Sequence, residues 1–180
     1  MEMKENEVTM IKRIRQFMQN ISYYFQIVDL DFLSTYLNRH ENALFGKLQK
    51  SEQIHSILVA KGVLSELNPE ENRGFIKAVL FHDIGKVERP LNLMEKSLAV
   101  IINKLFKDST SFEKFEFMKS LRNHGPRGEE ILRKEKIFEE EPLFYLVVGT
   151  HQESVEKISF RKNEELLFYH SLLKKYDDRY

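Results

Sequence analysis

The stretch Val79-Leu80-Phe81-His82-Asp83-Ile84-Gly85-Lys86 decides how this chain is read. Phe75, Ile76, Val79 and Leu80 form an apolar helical run that delivers a histidine and an aspartate side by side, stops at a glycine and sets a lysine just past it. His82 follows Val79 by three residues and Lys86 follows His82 by four, so helical spacing predicts neighbouring inward directions for His82, Asp83 and Lys86. A carboxylate buried without a partner costs on the order of several kcal/mol. A divalent cation offsets that cost and takes both side chains as ligands. A His-Asp pair at a helix end also arises as a solvated terminus or a plain hydrogen-bonded pair, so the surroundings must decide.

Outward from this stretch the pattern is helical throughout. Toward the N-terminus, Asn68-Pro69-Glu70-Glu71 carries a cap, a proline and acidic residues, which predicts the start of the helix that ends at His82. Before it, a helix is expected from Ser51, its N-cap, to about Leu67, with Ile54, Leu58 and Leu64 apolar and His55 facing the interior or its edge. Residues 1 to about 28 place Ile11, Ile14, Phe17, Met18, Ile21 and Phe25 at amphipathic spacing, and two short helices are expected around 31–37 and 42–45. His40 lies in a polar stretch and reads as a surface histidine.

Toward the C-terminus, a long helix is expected through Met94, Leu98, Ile101, Leu105 and Phe106, then a loop at 107–111 and renewed helical spacing at Phe112, Phe115 and Met118. Asn123-His124-Gly125-Pro126-Arg127-Gly128 reads as a break before a helix from Glu129 to Lys134, holding His124 at an element end. The helix from Pro142 stops at Gly149-Thr150-His151, and the last one, about Asn163 to Tyr176, runs into Asp177-Asp178. No strand alternation or internal repeat competes, so the expected fold is an all-α, single-domain helical bundle.

Composition narrows the function classes. The 180 residues carry zero formal net charge and no cysteine, which excludes thiol chemistry and disulfide scaffolding and argues against a broad footprint for duplex nucleic acid. A local basic site for one phosphate group stays open. No secretory leader pattern opens the chain and no apolar run approaches the roughly 20 residues of a membrane span, so a soluble, cytoplasmic protein is expected.

The order His55, His82-Asp83, His124, His151 and a late aspartate, each on or just past an apolar helix, resembles the HD-domain superfamily of metal-dependent phosphohydrolases, in particular its small stand-alone bacterial members. The resemblance covers about residues 48–178 and is carried by Gln53-Ile54-His55-Ser56, by Leu80 to Lys86, and by His124 with Gly128 four residues on, running into Glu130-Ile131-Leu132. It implies an HD domain over 48–180 with residues 1–47 as an N-terminal helical extension packed on the same domain. It also implies a primary metal site of His55, His82, Asp83 and a terminal aspartate, and leaves that aspartate open between Asp177 and Asp178. Helical spacing favours Asp177, four residues after Leu173 and eleven after Leu166. In the binuclear branch His124 and His151 would hold a second ion with Asp83 bridging; otherwise they would contact substrate or support the ligands. His170 and Glu153 read as supporting residues. The HD-GYP phosphodiesterases carry two adjacent histidines and a Gly-Tyr-Pro signature, whereas this chain has His151-Gln152-Glu153 and no such signature after it, which argues against cyclic di-nucleotides.

The implied activity is hydrolysis of a nucleotide or related phosphoester by metal-activated water, with Asp83 and Lys86 as the catalytic residues and one or two divalent ions (Mn, Fe, Co, Ni or Zn) as cofactor. Lys86 would contact a phosphate oxygen or orient the water, and otherwise is a charge at a helix C-terminus. Arg127 is a weaker candidate for the same role. Two other functions share the motif: a non-catalytic nucleotide-sensing module and a di-iron oxygenase. The expected partner is a small phosphorylated substrate, not duplex nucleic acid or membrane. The aromatic N-terminal helix would either close over the cleft or pair two subunits into a homodimer.

Overall fold

Side-chain caps at Asp29, Asn38, Ser154 and Asn163 start four of the helices. The computed structural model describes residues 22–23, 25–90 and 116–180, with the backbone alone for 116–122. The described residues form eight α-helices and a 3₁₀ turn, with no strand among them: α1 (Leu30–Tyr36), α2 (Arg39–Phe45), α3 (Lys50–Val63), α4 (Arg73–Phe81), the 3₁₀ turn (Ile84–Val87), α5 (Glu116–Lys134), α6 (Leu143–Thr150), α7 (Val155–Ser159) and α8 (Glu164–Asp177). The all-helical expectation therefore holds. Of the helix expected over 1 to about 28, residues 1–21 lie outside the described residues, as do the helix expected through 94–106 and the loop at 107–111; residues 22–23 are helical, while Phe25 lies in a turn and is exposed.

α4 is the centre. Phe75, Ile76, Ala78, Val79, Leu80 and Phe81 are all fully buried, as expected of a helix that is apolar nearly all round. Each large side chain among them contributes about 1.5–3 kcal/mol of burial. α1, α3 and α6 pack around it, α8 closes over α3 and α6, and α5 lies across α6 and the 3₁₀ turn. Leu33, Tyr36, Leu44 and Phe45 of α1 and α2 enter the same hydrophobic cluster, and the Phe45 and Phe81 rings meet edge to face at 6.1 Å. Asn38 and Glu41 close a capping box at the start of α2. The other oxygen of the buried Glu41 carboxylate takes the Lys77 ammonium at 2.5 Å, which ties α2 to the central helix.

Several boundaries differ from expectation: α3 ends at Val63 rather than near Leu67, and α2 begins at Arg39 rather than near 42. Gln49, not Ser51, precedes α3, and Ser51 is buried in its first turn. Asn68 organises a turn of its own, its side chain accepting the Glu70 N–H at 3.1 Å, so α4 begins only at Arg73. The largest difference is at His124, where α5 runs without a break through Gly125, Pro126 and Gly128. Pro126 has no N–H to donate, and the N–H of Gly125 goes to Gln152 Oε1 at 3.0 Å. The glycines serve contact rather than a turn. A methyl group at Gly85 would collide with the His124 carbonyl, and one at Gly125 would lie 2.8 Å from the Gly149 carbonyl. Bare backbone on both sides lets the 3₁₀ turn, α5 and α6 approach closely. α7 was not anticipated; it starts at a Ser154 cap whose hydroxyl accepts the Lys157 N–H.

Candidate metal centre

His82 and His151 are set by the same local device. Each follows the last residue of an apolar helix, α4 or α6, and each places Nδ1 2.7 Å from the carbonyl three residues back, Val79 or Val148. A carbonyl only accepts, so Nδ1 carries the proton in both rings and Nε2 points away from the helix end. Apolar helix ends thus aim two imidazole nitrogens into one interior space. His55 comes from α3, Asp177 is the last residue of α8, His124 comes from the middle of α5, and Asp83 directly follows His82.

All six side chains named for metal in the sequence converge. Their ligand atoms fall into two groups, His55, His82 and Asp177 in one and Asp83, His124 and His151 in the other, with the atoms of each group within 4.8 Å of one another. In the first, Asp177 Oδ1 lies 2.9 Å from His55 Nε2 and 3.5 Å from His82 Nε2. In the second, Asp83 Oδ1 lies 2.9 Å from His124 Nε2 and 3.8 Å from His151 Nε2. The other oxygen of Asp83 faces His82 Nε2 at 3.5 Å and the Lys86 ammonium at 2.6 Å, so one carboxylate joins the two groups. Asp178 caps α8 and is exposed; the helical phase that buries Leu166 and Leu173 turns Asp177 inward instead.

Burial grades across the centre. His82, Asp83 and His151 side chains are 0–3% exposed, whereas His55 and Asp177 are 13% and 28% exposed, so solvent meets the centre at the α3–α8 side. Burial alone would discharge His82, but Asp83 and Asp177 reverse this and push its pKa up to about 9. Burial opposes ionisation of Asp83 too, yet Lys86, His82 and His124 hold it well below the usual carboxylate range. Asp177 is held down in the same way, against burial, by His55 and His82. His151 goes the other way: burial, then the neighbouring His124 and His82, pull it to about 3, which leaves its Nε2 lone pair free of a proton at neutral pH.

A cation fits this arrangement. His82 Nε2 is fully buried, lies between two carboxylates and makes no hydrogen bond. Asp83 and Asp177, which raise the His82 pKa, favour positive charge at this point. Mixed imidazole and carboxylate donors suit a divalent transition metal. These buried His and Asp groups could therefore hold a metal ion. Accordingly, Asp177→Asn is expected to lower metal content after dialysis far more than Asp178→Asn; the reverse order would show that the phase of α8 has been misassigned.

The two remaining histidines, His40 and His170, lie outside both groups. His40 is exposed beside Glu135, and Arg127 pairs loosely with Glu88 at 3.9 Å. Buried His170 donates Nε2–H to the Thr150 carbonyl at 3.0 Å, bracing the residue before His151, while Glu153 takes Arg161 on the surface. Gln152 and Glu52 were missed. Gln152 ties the end of α6 to α5 next to His124, and Glu52 holds Lys86 at 3.1 Å. The available signal for Glu52 was its position three residues before His55 on the same helix.

Among the described residues, fold and centre together define a helical bundle with a buried histidine-aspartate cluster that could hold a metal ion. No family model, curated protein or solved structure matches the chain. Among the described residues, no helix is long and apolar enough to cross a membrane.

Proposed function

We propose that the chain is a metal-dependent phosphohydrolase of the HD-domain type, acting on a nucleotide or a related phosphoester. The observation that carries this reading is the convergence of four imidazoles and two carboxylates into two groups joined by Asp83, with a lysine ammonium alongside. The chemistry that a divalent ion supplies when bound is a lowered pKa for water and polarisation of a phosphoryl oxygen. His55, His82 and Asp177 would hold one ion, and Asp83, His124 and His151 a second. The Nδ1–H bonds of His82 and His151 keep their rings oriented as ligands. Lys86 has three N–H groups, of which Asp83 and Glu52 engage two. The third remains for a phosphate oxygen as charge develops on it.

The test is a panel of phosphomonoesters, phosphodiesters and dinucleoside polyphosphates, assayed with protein stripped by chelator and then restored with Mn(II), Co(II) or Zn(II). Hydrolysis is expected only after restoration. The thermal midpoint should rise with the metal, by an amount equivalent to about 2.7 kcal/mol at a hundred times Kd. Restored protein that binds nucleotide and hydrolyses none of the panel would instead identify a nucleotide sensor.

A further inference from the structure

Lys86 does not stand alone beside Asp83. Its ammonium bridges two buried carboxylates, Asp83 Oδ2 at 2.6 Å and Glu52 Oε2 at 3.1 Å, and the Glu52 side chain is only 8% exposed. Glu52 lies in the first turn of α3, where the helix dipole favours a carboxylate, and three residues before His55. A single helix thus supplies a ligand to the first group and, through Lys86, reaches the second.

We propose that Glu52 is a positioning residue for Asp83, acting through Lys86; this rests on the metal reading of the centre. A lysine ammonium sits on a flexible four-carbon stem, and one held at a single point can swing toward solvent. Held at two points, it pins Asp83 Oδ2 and stops the carboxylate from rotating. Oδ1 then stays on the side of His124 and His151, at 2.9 and 3.8 Å. Glu52 also shares the lysine's charge. Without it Lys86 pairs with Asp83 alone and draws more of the negative charge that a metal ion would use.

Full-length, metal-stripped protein titrated with Co(II) and followed by visible absorption tests this, because the absorption reports ligand geometry as well as occupancy. Glu52→Ala is expected to weaken Co(II) binding about ten- to a hundred-fold and to change the shape of the absorption bands. Glu52→Gln, which keeps the volume and an acceptor oxygen, should give a smaller loss and keeps the test open if alanine prevents folding. Wild-type affinity and wild-type absorption in every variant that folds would overturn the proposal, whatever the thermal midpoint does. Wild-type protein that takes up no Co(II) would overturn the metal reading itself and the role of Glu52 with it.

Discussion

Asp83→Ala is expected to lower metal content, to abolish phosphoester hydrolysis and to destabilise the metal-free protein as well. One oxygen of Asp83 faces His124 and His151; the other faces His82 and Lys86. Taking away one partner of a buried ion pair leaves the other charge uncompensated, at about 3–5 kcal/mol. Lys86 retains Glu52 and is partly exposed, so the loss should fall toward the lower end of that range. Asp83→Asn separates the two effects. An asparagine of the same shape can present its oxygen either to Lys86 or to the His124 Nε2–H, so the fold should survive with a smaller loss. A neutral amide is a poor ligand, so metal content should still fall. Chemical denaturation of the stripped protein and metal content after dialysis read the two quantities independently. Metal content that is unchanged in Asp83→Asn would remove Asp83 from the set of ligands.

The histidines that end α4 and α6 were legible because an apolar run followed by a polar imidazole is a conflict that only a specific partner resolves. The same reasoning worked for Asp177. Leu166 and Leu173 fix which face of α8 is buried, and Asp177 follows in phase one turn later. For His124 the expectation of a break does not hold, since it stands in the middle of α5. Glycine and proline together signal a turn, but a glycine chosen for close contact between backbones looks identical in one sequence, since both uses require only the absence of Cβ. The difference lies in Gly85 and Gly149, on other elements, which face this segment across the contact. Glu52 was hidden by a similar ambiguity. An acidic residue in the first turn of a helix already has a sufficient local explanation in the helix dipole, and nothing local reports a lysine 34 residues away. Local patterns name groups that are costly to bury; they do not name the residues that hold those groups in place.

That distinction sets the expectation for Gly85→Ala, the substitution with the largest effect for the smallest chemical change. The added methyl group would meet the His124 carbonyl and, at 2.7 Å, the Gly128 backbone nitrogen. Both belong to the backbone of α5 and cannot rotate aside, so the 3₁₀ turn and α5 must separate. Overpacking of this kind costs about 1–3 kcal/mol, and more where only backbone can yield. For a chain of this size that is a fall in thermal midpoint of roughly 2–12 °C. Asp83 and Lys86 flank Gly85 and would move with the turn, whereas His124 would stay with α5. The 2.9 Å approach of Asp83 to His124 should therefore open, and metal affinity should fall with stability. Gly46→Ala is the control: that glycine already has helical backbone angles, its nearest contact is 3.3 Å from the added carbon, and the change should stay within about 1 kcal/mol. Gly85→Ala protein with wild-type stability and metal content would mean that the turn carrying Asp83 does not rest on the backbone of α5, and that His124 reaches the centre by some other route.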